Sequence, residues 1–421
     1  MQNRGAYMRA WENLGMQTGD IIDLEITGIA HGGVFIARHG EEGLVVFVPD
    51  TIPGERVRAR ITQVKKSFAR AETIEVLEAS PHRVPHIWKQ ADVSVAPELR
   101  PGGADFGHIA LEHQRELKAR VITEAFDRFA GGSVPVTVEP ASAHETGAGY
   151  RTRVGLHVDR DGRVGPYAAR SNDVIETADY PLATPAIERA IAALGSEREG
   201  RIDLVHPADG EVRILRRPAT RGRSRAKKEP EVVAEIVGGR RFDVDVDGFW
   251  QVHREAATAL DRVVREELAK LDAPERAHHL DLYGGVGLFS AALAGHGTDS
   301  WVTTVESSGR ATQHAADNLA DLPVEAISAR VERFIEHLDP TDAISRGITL
   351  LDPPRSGAGE QVVRRIGELN PAAVVYIACD PVALARDTGT FRELGYSVDS
   401  LRGIDLFPSS HHVEAVAVLT R

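Results

Sequence analysis

His279-Leu280-Asp281-Leu282-Tyr283-Gly284-Gly285-Val286-Gly287-Leu288-Phe289 reads as a strand that runs into a glycine turn and then into a helix. Glycine at the turn lets backbone approach a ligand closely, and the free amides of the following helix face it. The periodicity around this stretch is regular. Helix Arg254 to Leu271 precedes strand His279 to Tyr283, and helix Leu288 to Ala294 follows it. Strand Trp301 to Glu306 is followed by helix Arg310 to Leu319, and strand Val324 to Ala329 by a short helix around Val331 to Leu338. Strand Ile348 to Asp352 precedes helix Gly359 to Leu369, and strand Ala373 to Cys379 precedes helix Pro381 to Leu394. Strands Ser397 to Ile404 and Val413 to Leu419 come last with no helix between them. Alternating strands and helices predict a Rossmann-like, doubly wound α/β sheet, and the final pair predicts an antiparallel hairpin at its edge.

Upstream the character changes. Between Gly19 and Glu78, five short β segments (Ile21 to Ile26, Gly33 to Ala37, Leu44 to Val48, Val57 to Val64, Ala71 to Leu77) alternate with glycine and proline turns. This pattern predicts a small OB-like β-barrel. Pro81 to Pro101 reads as a linker or loop, Glu112 to Phe129 as a helix, and Arg151 to Val158 and Val212 to Leu215 as strands. The expected organisation is a barrel over 18–80, a central α+β domain over 81–253 and the α/β domain over 254–421. Of the 421 residues, 42% are hydrophobic and 27% charged, as in ordinary globular proteins. No apolar run reaches the roughly 20 residues needed to cross a bilayer, and Met1 to Gln17 lacks a signal-like apolar core, so no membrane partner and a cytoplasmic location are expected. The net charge of −12 conceals a local excess: Arg213 to Arg241 holds ten Lys or Arg against three Glu. Such a run is either a solvated surface loop or a nucleic-acid contact.

In parallel α/β sheets, ligands sit beyond the carboxyl ends of the strands. Three unusual strings end strands there: the glycine turn, Asp352-Pro353-Pro354-Arg355, and the sole cysteine, Cys379, followed by Asp380-Pro381. A single cysteine excludes an internal disulfide and a thiolate-held metal cluster. Glu306 ends the second strand about twenty residues beyond the loop, where such folds hydrogen-bond a ribose diol. Loop and acid together point to an adenosine-containing cofactor.

The ordered motifs Phe249-Trp250-Gln251-Val252-His253, Asp281 to Phe289, Asp352 to Gly357, Tyr376 to Asp387 and Asp405 to Glu414 resemble the RNA uracil-5 methyltransferase family along nearly the whole chain. The closing hairpin is likewise typical of class I methyltransferases. The resemblance implies an N-terminal TRAM barrel, and S-adenosylmethionine contacts at Gln251, Tyr283, Glu306 and Asp352, with Gly285 in the cofactor turn. It implies a Cys379 nucleophile, a Glu414 general base, and RNA as the partner of a monomeric enzyme. The barrel favours ribosomal over transfer RNA. His411 and His412 are alternative bases by type.

Departures from the family pattern are His253 for an asparagine, Gly284 for a cysteine, Ser409 for a glutamine and Asp380 for an asparagine. An inward Asp380 would raise the thiol pKa and would favour a catalytically idle RNA-binding or assembly factor. Many relatives hold an iron–sulfur cluster on four cysteines; Ala104 in Pro101-Gly102-Gly103-Ala104 replaces one of them, so no cluster is expected and packing must hold that segment. Arg355 stands where a tyrosine would favour amino-group methylation.

Overall fold

The computed structural model describes residues 16–40, 43–132, 134–219 and 229–421, which leaves Arg221, Arg223, Arg225, Lys227 and Lys228 of the basic run outside the described residues. The chain divides into two compact units. The first is made of Met1–Leu117, Pro166–Thr177 and Ser409–His411, the second of Lys118–Gly165, Ala178–Pro408 and His412–Arg421.

In the first unit, β1 (Ile21–Ala30), β2 (Val34–His39), β3 (Leu44–Val48), β4 (Arg56–Val64) and β5 (Phe68–Glu78) form a closed barrel in the order β1-β2-β3-β5-β4. Period-two patterning builds it: Leu24, Ile26, Phe35, Ala37, Val46, Val48, Val57, Ala59, Ile61, Ala69 and Ala71 are buried, while their neighbours face outward. All five expected strands are present, several of them longer than the sequence pattern suggested. The segment after the barrel is irregular but packed. Buried Glu55 accepts from Arg83 through both oxygens (2.6 and 2.7 Å), and buried Arg100 donates to Asp50 at 2.9 Å and to the carbonyls of Val93 and Val95 at 2.8 Å. Ala104, Phe106 and Ile109 are buried beside them, and the ring of Phe106 lies 5.7 Å from that of Phe35. Hydrocarbon and a buried ion pair thus hold the segment at Ala104.

The boundary between units falls inside helix α1 (Leu111–Phe129). In the second unit, β6 (Thr137–Pro140) is followed by β7 (Arg153–Val158), β8 (Val164–Gly165), helix α2 (Pro185–Ala192), β9 (Gly200–Val205) and β10 (Arg213–Pro218). Strands β10-β9-β7-β8 make a four-stranded sheet, and β11 (Val232–Val237) with β12 (Arg240–Asp245) makes a hairpin. Helix α3 (Ala256–Leu268) then leads into β13 (His278–Leu282), α4 (Leu288–Leu293), β14 (Trp301–Glu306), α5 (Gly309–Asn318), β15 (Val324–Ser328), α6 (Val331–Glu336) and α7 (Asp342–Ser345). The chain continues as β16 (Ile348–Leu351), α8 (Glu360–Leu369), β17 (Ala373–Ala378), α9 (Pro381–Glu393), β18 (Ser397–Asp405) and β19 (Glu414–Thr420).

One eight-stranded sheet, ordered β15-β14-β13-β16-β17-β19-β18-β6, carries this unit. β13 to β17 run parallel, and β19 lies antiparallel between β17 and β18. Every residue of β16 and β17 is buried, because apolar side chains leave both faces. Val375 and Ile377 join Leu260, Val263, Phe289 and Leu293 in one core, while Val374 and Tyr376 join Phe126, Val362, Ile366, Leu384 and Phe391 in the other. The short edge strand β6 was not legible in the sequence; four residues ending at Pro140 carry almost no pattern. No helix among the described residues is long and apolar enough to cross a membrane.

Candidate active site

Strand order places the site. β13 and β16 are adjacent, and the chain runs outward from them in opposite directions through β14 and β17, so their carboxyl ends flank a switch point. The glycine turn leaves β13 there, and Asp352 leaves β16, with its amide donating to the carbonyl of Leu282 at 3.3 Å.

The turn is tightly built. Tyr283 adopts φ +66°, an uncommon left-handed conformation for a bulky residue, and its amide donates to the Val305 carbonyl at 3.0 Å. A Cβ on Gly284 would collide with Thr304 Oγ1, whereas the direction a Cβ would take from Gly285 is open, as a cofactor cradle requires. Glu306, at the end of β14, accepts from the amide of Gly285 (3.3 Å) through Oε2 and from that of Ser308 (2.7 Å) through Oε1. The acid expected at the ribose therefore also braces the turn. Beneath it Asp281 is fully buried; its Oδ2 accepts from Ser290 and Thr304, and its Oδ1 finds no hydrogen-bond partner among the described residues. Burial pushes the Asp281 carboxyl up to about 6. An open cradle above an orphaned buried oxygen fits a polar cofactor at this turn.

Cys379 is half-buried directly after β17. The register pairs Ala378 with Ala415, so the next residues out from that pair are Cys379 and the buried Glu414. Burial pushes the Cys379 thiol up to about 11, with Glu414 adding to the rise and Arg355 opposing it. Burial also lifts the Glu414 carboxyl well above the carboxylate range, Asp352 adds to this, and Arg355 again opposes it. Asp352 is raised by burial and then by Asp281. Asp281 thus disfavours ionisation of Asp352, Asp352 that of Glu414, and Glu414 that of Cys379, while Arg355 opposes the rise at Glu414 and Cys379.

Asp380 is a helix cap. Its carboxylate caps α9, accepting from the amides of Val382 (3.0 Å) and Ala383 (2.9 Å), with Pro381 at the first helical position. Gln251 is half-buried, and β7 and the residue before it hold its segment: Arg153 donates to the carbonyls of Val246 (3.2 Å) and Gly248 (2.8 Å), and Thr152 Oγ1 to that of Val252 (2.9 Å). His253 takes a structural role, with Nε2 2.8 Å from Glu145 and its ring stacked on Tyr150. His411 pairs with Asp105 in the first unit at 2.7 Å, and His412 packs edge-on to Phe407 in the second. The sequence reading displayed Arg355, Asp281, Tyr376 and Asp387 within its motifs but gave them no role in shaping the site. An aspartate amid apolar strand residues was the available signal for Asp281.

The described part of the basic run is largely neutralised. Arg213 pairs with Asp209 and Glu231, Arg216 with Glu197, Arg217 with Asp203, Arg240 with Asp321 and Arg241 with Asp243.

Residues 16–74 match the TRAM domain family and residues 270–421 match the tRNA (Uracil-5-)-methyltransferase family. An RNA methyltransferase of Streptomyces avermitilis is 38% identical over 95% of this chain and 98% of its own. The 23S rRNA (uracil(1939)-C(5))-methyltransferase of Chromohalobacter salexigens is 30% identical over 94% of this chain and 89% of its own. Among solved structures, the Pyrococcus abyssi tRNA (uracil-54, C5)-methyltransferase in complex with S-adenosyl-L-homocysteine superposes with a TM-score of 0.69 at 21% identity, covering 95% of this chain and 100% of that one, a likeness of fold.

Proposed function

Since the chain belongs to the S-adenosylmethionine-dependent RNA uracil-5-methyltransferases, we propose that it methylates C5 of a uridine in ribosomal RNA through a covalent adduct on Cys379. The observation that carries this reading is the placement of Cys379 and Glu414 at neighbouring strand ends on the rim that also bears the glycine turn. Ribosomal RNA is supported by the 30% identical relative named for 23S rRNA and by the barrel at residues 16–74.

Uracil C5 is a weak nucleophile. The Cys379 thiolate adds to C6, and the electron pair displaced from the C5–C6 bond makes C5 nucleophilic. When bound, S-adenosylmethionine supplies an electrophilic methyl group on a cationic sulfonium. Gly285, Tyr283, Glu306, Asp352 and Gln251 are the residues assigned to hold it. Glu414 then takes the C5 proton, the Cys379–C6 bond breaks with its electrons returning to sulfur, and the 5–6 double bond is restored. The target ring must leave its stack for C6 to be reached, so the uridine lies in a single-stranded or loop region. In this reading 18–80 is the barrel, 81–253 the central RNA-facing domain and 254–421 the catalytic domain of a cytoplasmic monomer.

RNA carrying 5-fluorouridine tests the mechanism, because a C5 fluorine cannot be removed as a proton and the adduct is trapped. Wild-type protein with cofactor is expected to form an RNA-linked band that is resistant to denaturation and absent in Cys379→Ala. If wild type methylates RNA but never yields that band, the covalent route is wrong. Mapping 5-methyluridine in RNA from cells with and without the gene identifies the substrate.

A further inference from the structure

The loop over 406–413 joins β18 to β19 and delivers Glu414 to the rim of the sheet. Strand pairing fixes Glu414 on one side only. It faces Ile404 in the last pair of the β18–β19 ladder, and it lies one residue beyond Ala378 and Ala415, the last pair of β17 with β19. The loop takes its other fixed points from side chains outside the hairpin. Lys118, in α1, is fully buried, and its Nζ donates to Asp405 Oδ1 at 2.5 Å and to the Phe407 carbonyl at 3.0 Å. Asp405 directly follows Ile404 and is equally buried; its Oδ2 has no hydrogen-bond partner among the described residues. The buried Tyr150 donates from Oη to the Pro408 carbonyl at 3.0 Å. Burial pushes that hydroxyl up to about 12, so it stays a donor. Leu406 and Val413, at the two ends of the loop, are buried.

We infer that Lys118 is a positioning residue for the reaction: by holding Asp405 and the Phe407 carbonyl, with Tyr150 holding that of Pro408, it sets the path of the loop that aims Glu414 at the C5 proton. The inference rests on the reading that Glu414 is the base. Short hairpin connections fix their own register through the turn type they adopt. The connection over 406–413 is too long for that and takes its path from its neighbours. Stability alone does not account for the ion pair, because an ammonium and a carboxylate withdrawn from water cost more than a hydrocarbon pair of the same shape. What the pair adds is direction. One ammonium bonded on both sides of Leu406 fixes where the chain leaves β18, next to the residue that faces Glu414. A base works only within hydrogen-bond reach of its proton, and a displacement of about 1 Å costs on the order of 100-fold in rate.

The test uses the full chain, S-adenosylmethionine and total RNA from cells without the gene. Single turnovers resolve the protein–RNA adduct that survives denaturation from released 5-methyluridine. In the proposed mechanism the adduct forms through Cys379 and breaks down through Glu414. Lys118→Met alone leaves Asp405 without its counter-ion, so both partners are replaced together. The double variant Lys118→Met, Asp405→Leu is expected to melt near wild type. It should form adduct within about two-fold of the wild-type rate but release 5-methyluridine about 100-fold more slowly, so that adduct accumulates as in Glu414→Gln. Tyr150→Phe, which strands no charge, is expected to slow release about ten-fold, the worth of one hydrogen bond. Formation and release that fall by one common factor make these contacts structural and overturn the inference, as does release at the wild-type rate in both the double variant and Tyr150→Phe. Accumulation in Glu414→Gln alone overturns the inference and leaves the base assignment standing. Release at the wild-type rate in Glu414→Gln overturns the base assignment, and the inference with it.

Discussion

At Cys379 the protein faces an electrostatic problem that Arg355 partly relieves. The thiol is pushed up to about 11 by burial and by Glu414, yet in the proposed mechanism the thiolate is the species that adds to uracil. Below that pKa the thiolate fraction rises about ten-fold per pH unit, and the ionised fraction of Glu414, itself raised, grows in the same direction of pH. Adduct formation is therefore expected to climb as pH rises through neutrality. Arg355 lowers both groups. An opposite charge close by is worth about one pKa unit or more, so Arg355→Gln should slow adduct formation about ten-fold near pH 7 and move the pH–rate limb to higher pH, with partial recovery in alkaline buffer. Single-turnover trapping on 5-fluorouridine RNA across a pH series reads this directly. An unchanged limb with a uniformly lower rate would mean that Arg355 acts on RNA binding instead.

At the scale of the element, the loop from Asp352 to Gly359 depends on α9. Asp387 Oδ2 accepts from Tyr376 Oη (2.6 Å) and from the amides of Ala358 (2.8 Å) and Gly359 (3.2 Å), and a Cβ on Gly357 would press against the same oxygen. One buried carboxylate oxygen therefore ties the end of β17 and the first turn of α8 to the segment that carries Asp352 and Arg355. Asp387→Leu leaves the Tyr376 hydroxyl and the Gly359 amide without their acceptor, while the Ala358 amide keeps Tyr376 Oη at 3.0 Å, and should cost about 2 kcal/mol or more, at roughly 1 to 3 kcal/mol per buried unsatisfied group. Asp387→Asn keeps an acceptor oxygen and should lose about 1 kcal/mol by the weaker neutral bonds, with a larger fall in kcat/KM than in melting temperature if the loop is what it positions. Equal proportional loss in both variants would assign Asp387 to stability alone. The sequence displayed Asp352, Arg355 and Asp387 but not their connection. A helix–loop contact across 28 residues leaves no periodic signal, whereas β17 was readable because a strand buried on both faces must be a continuous apolar run.

Across the whole molecule, the alternation of strands and helices from α3 to β19 was legible because each element must bury its own face. The central region was less legible, since β6 and β8 span only four and two residues, too few to carry a pattern of their own. The same accounting applies to charge. Asp245 is held below the usual carboxylate range by Arg310 and His314, so it contributes stability that is lost as pH falls through its folded pKa. Asp281 works with the opposite sign: its carboxyl rises from 3.8 to about 6 on folding. Between about pH 4 and 6 the native state keeps a proton that the unfolded chain has released, so stability declines as pH increases through that window and levels off above it. The slope is about 1.4 kcal/mol per pH unit while one such group is protonated only in the native state. Asp281→Asn removes this dependence and still offers an oxygen to Ser290 and Thr304. Urea unfolding at a series of pH values should therefore show the variant gaining on wild type from about pH 4 upward, by an order of 2 to 3 kcal/mol above pH 6. Parallel curves for the two proteins would mean that the Asp281 carboxyl ionises in the native state as freely as it does in the unfolded chain.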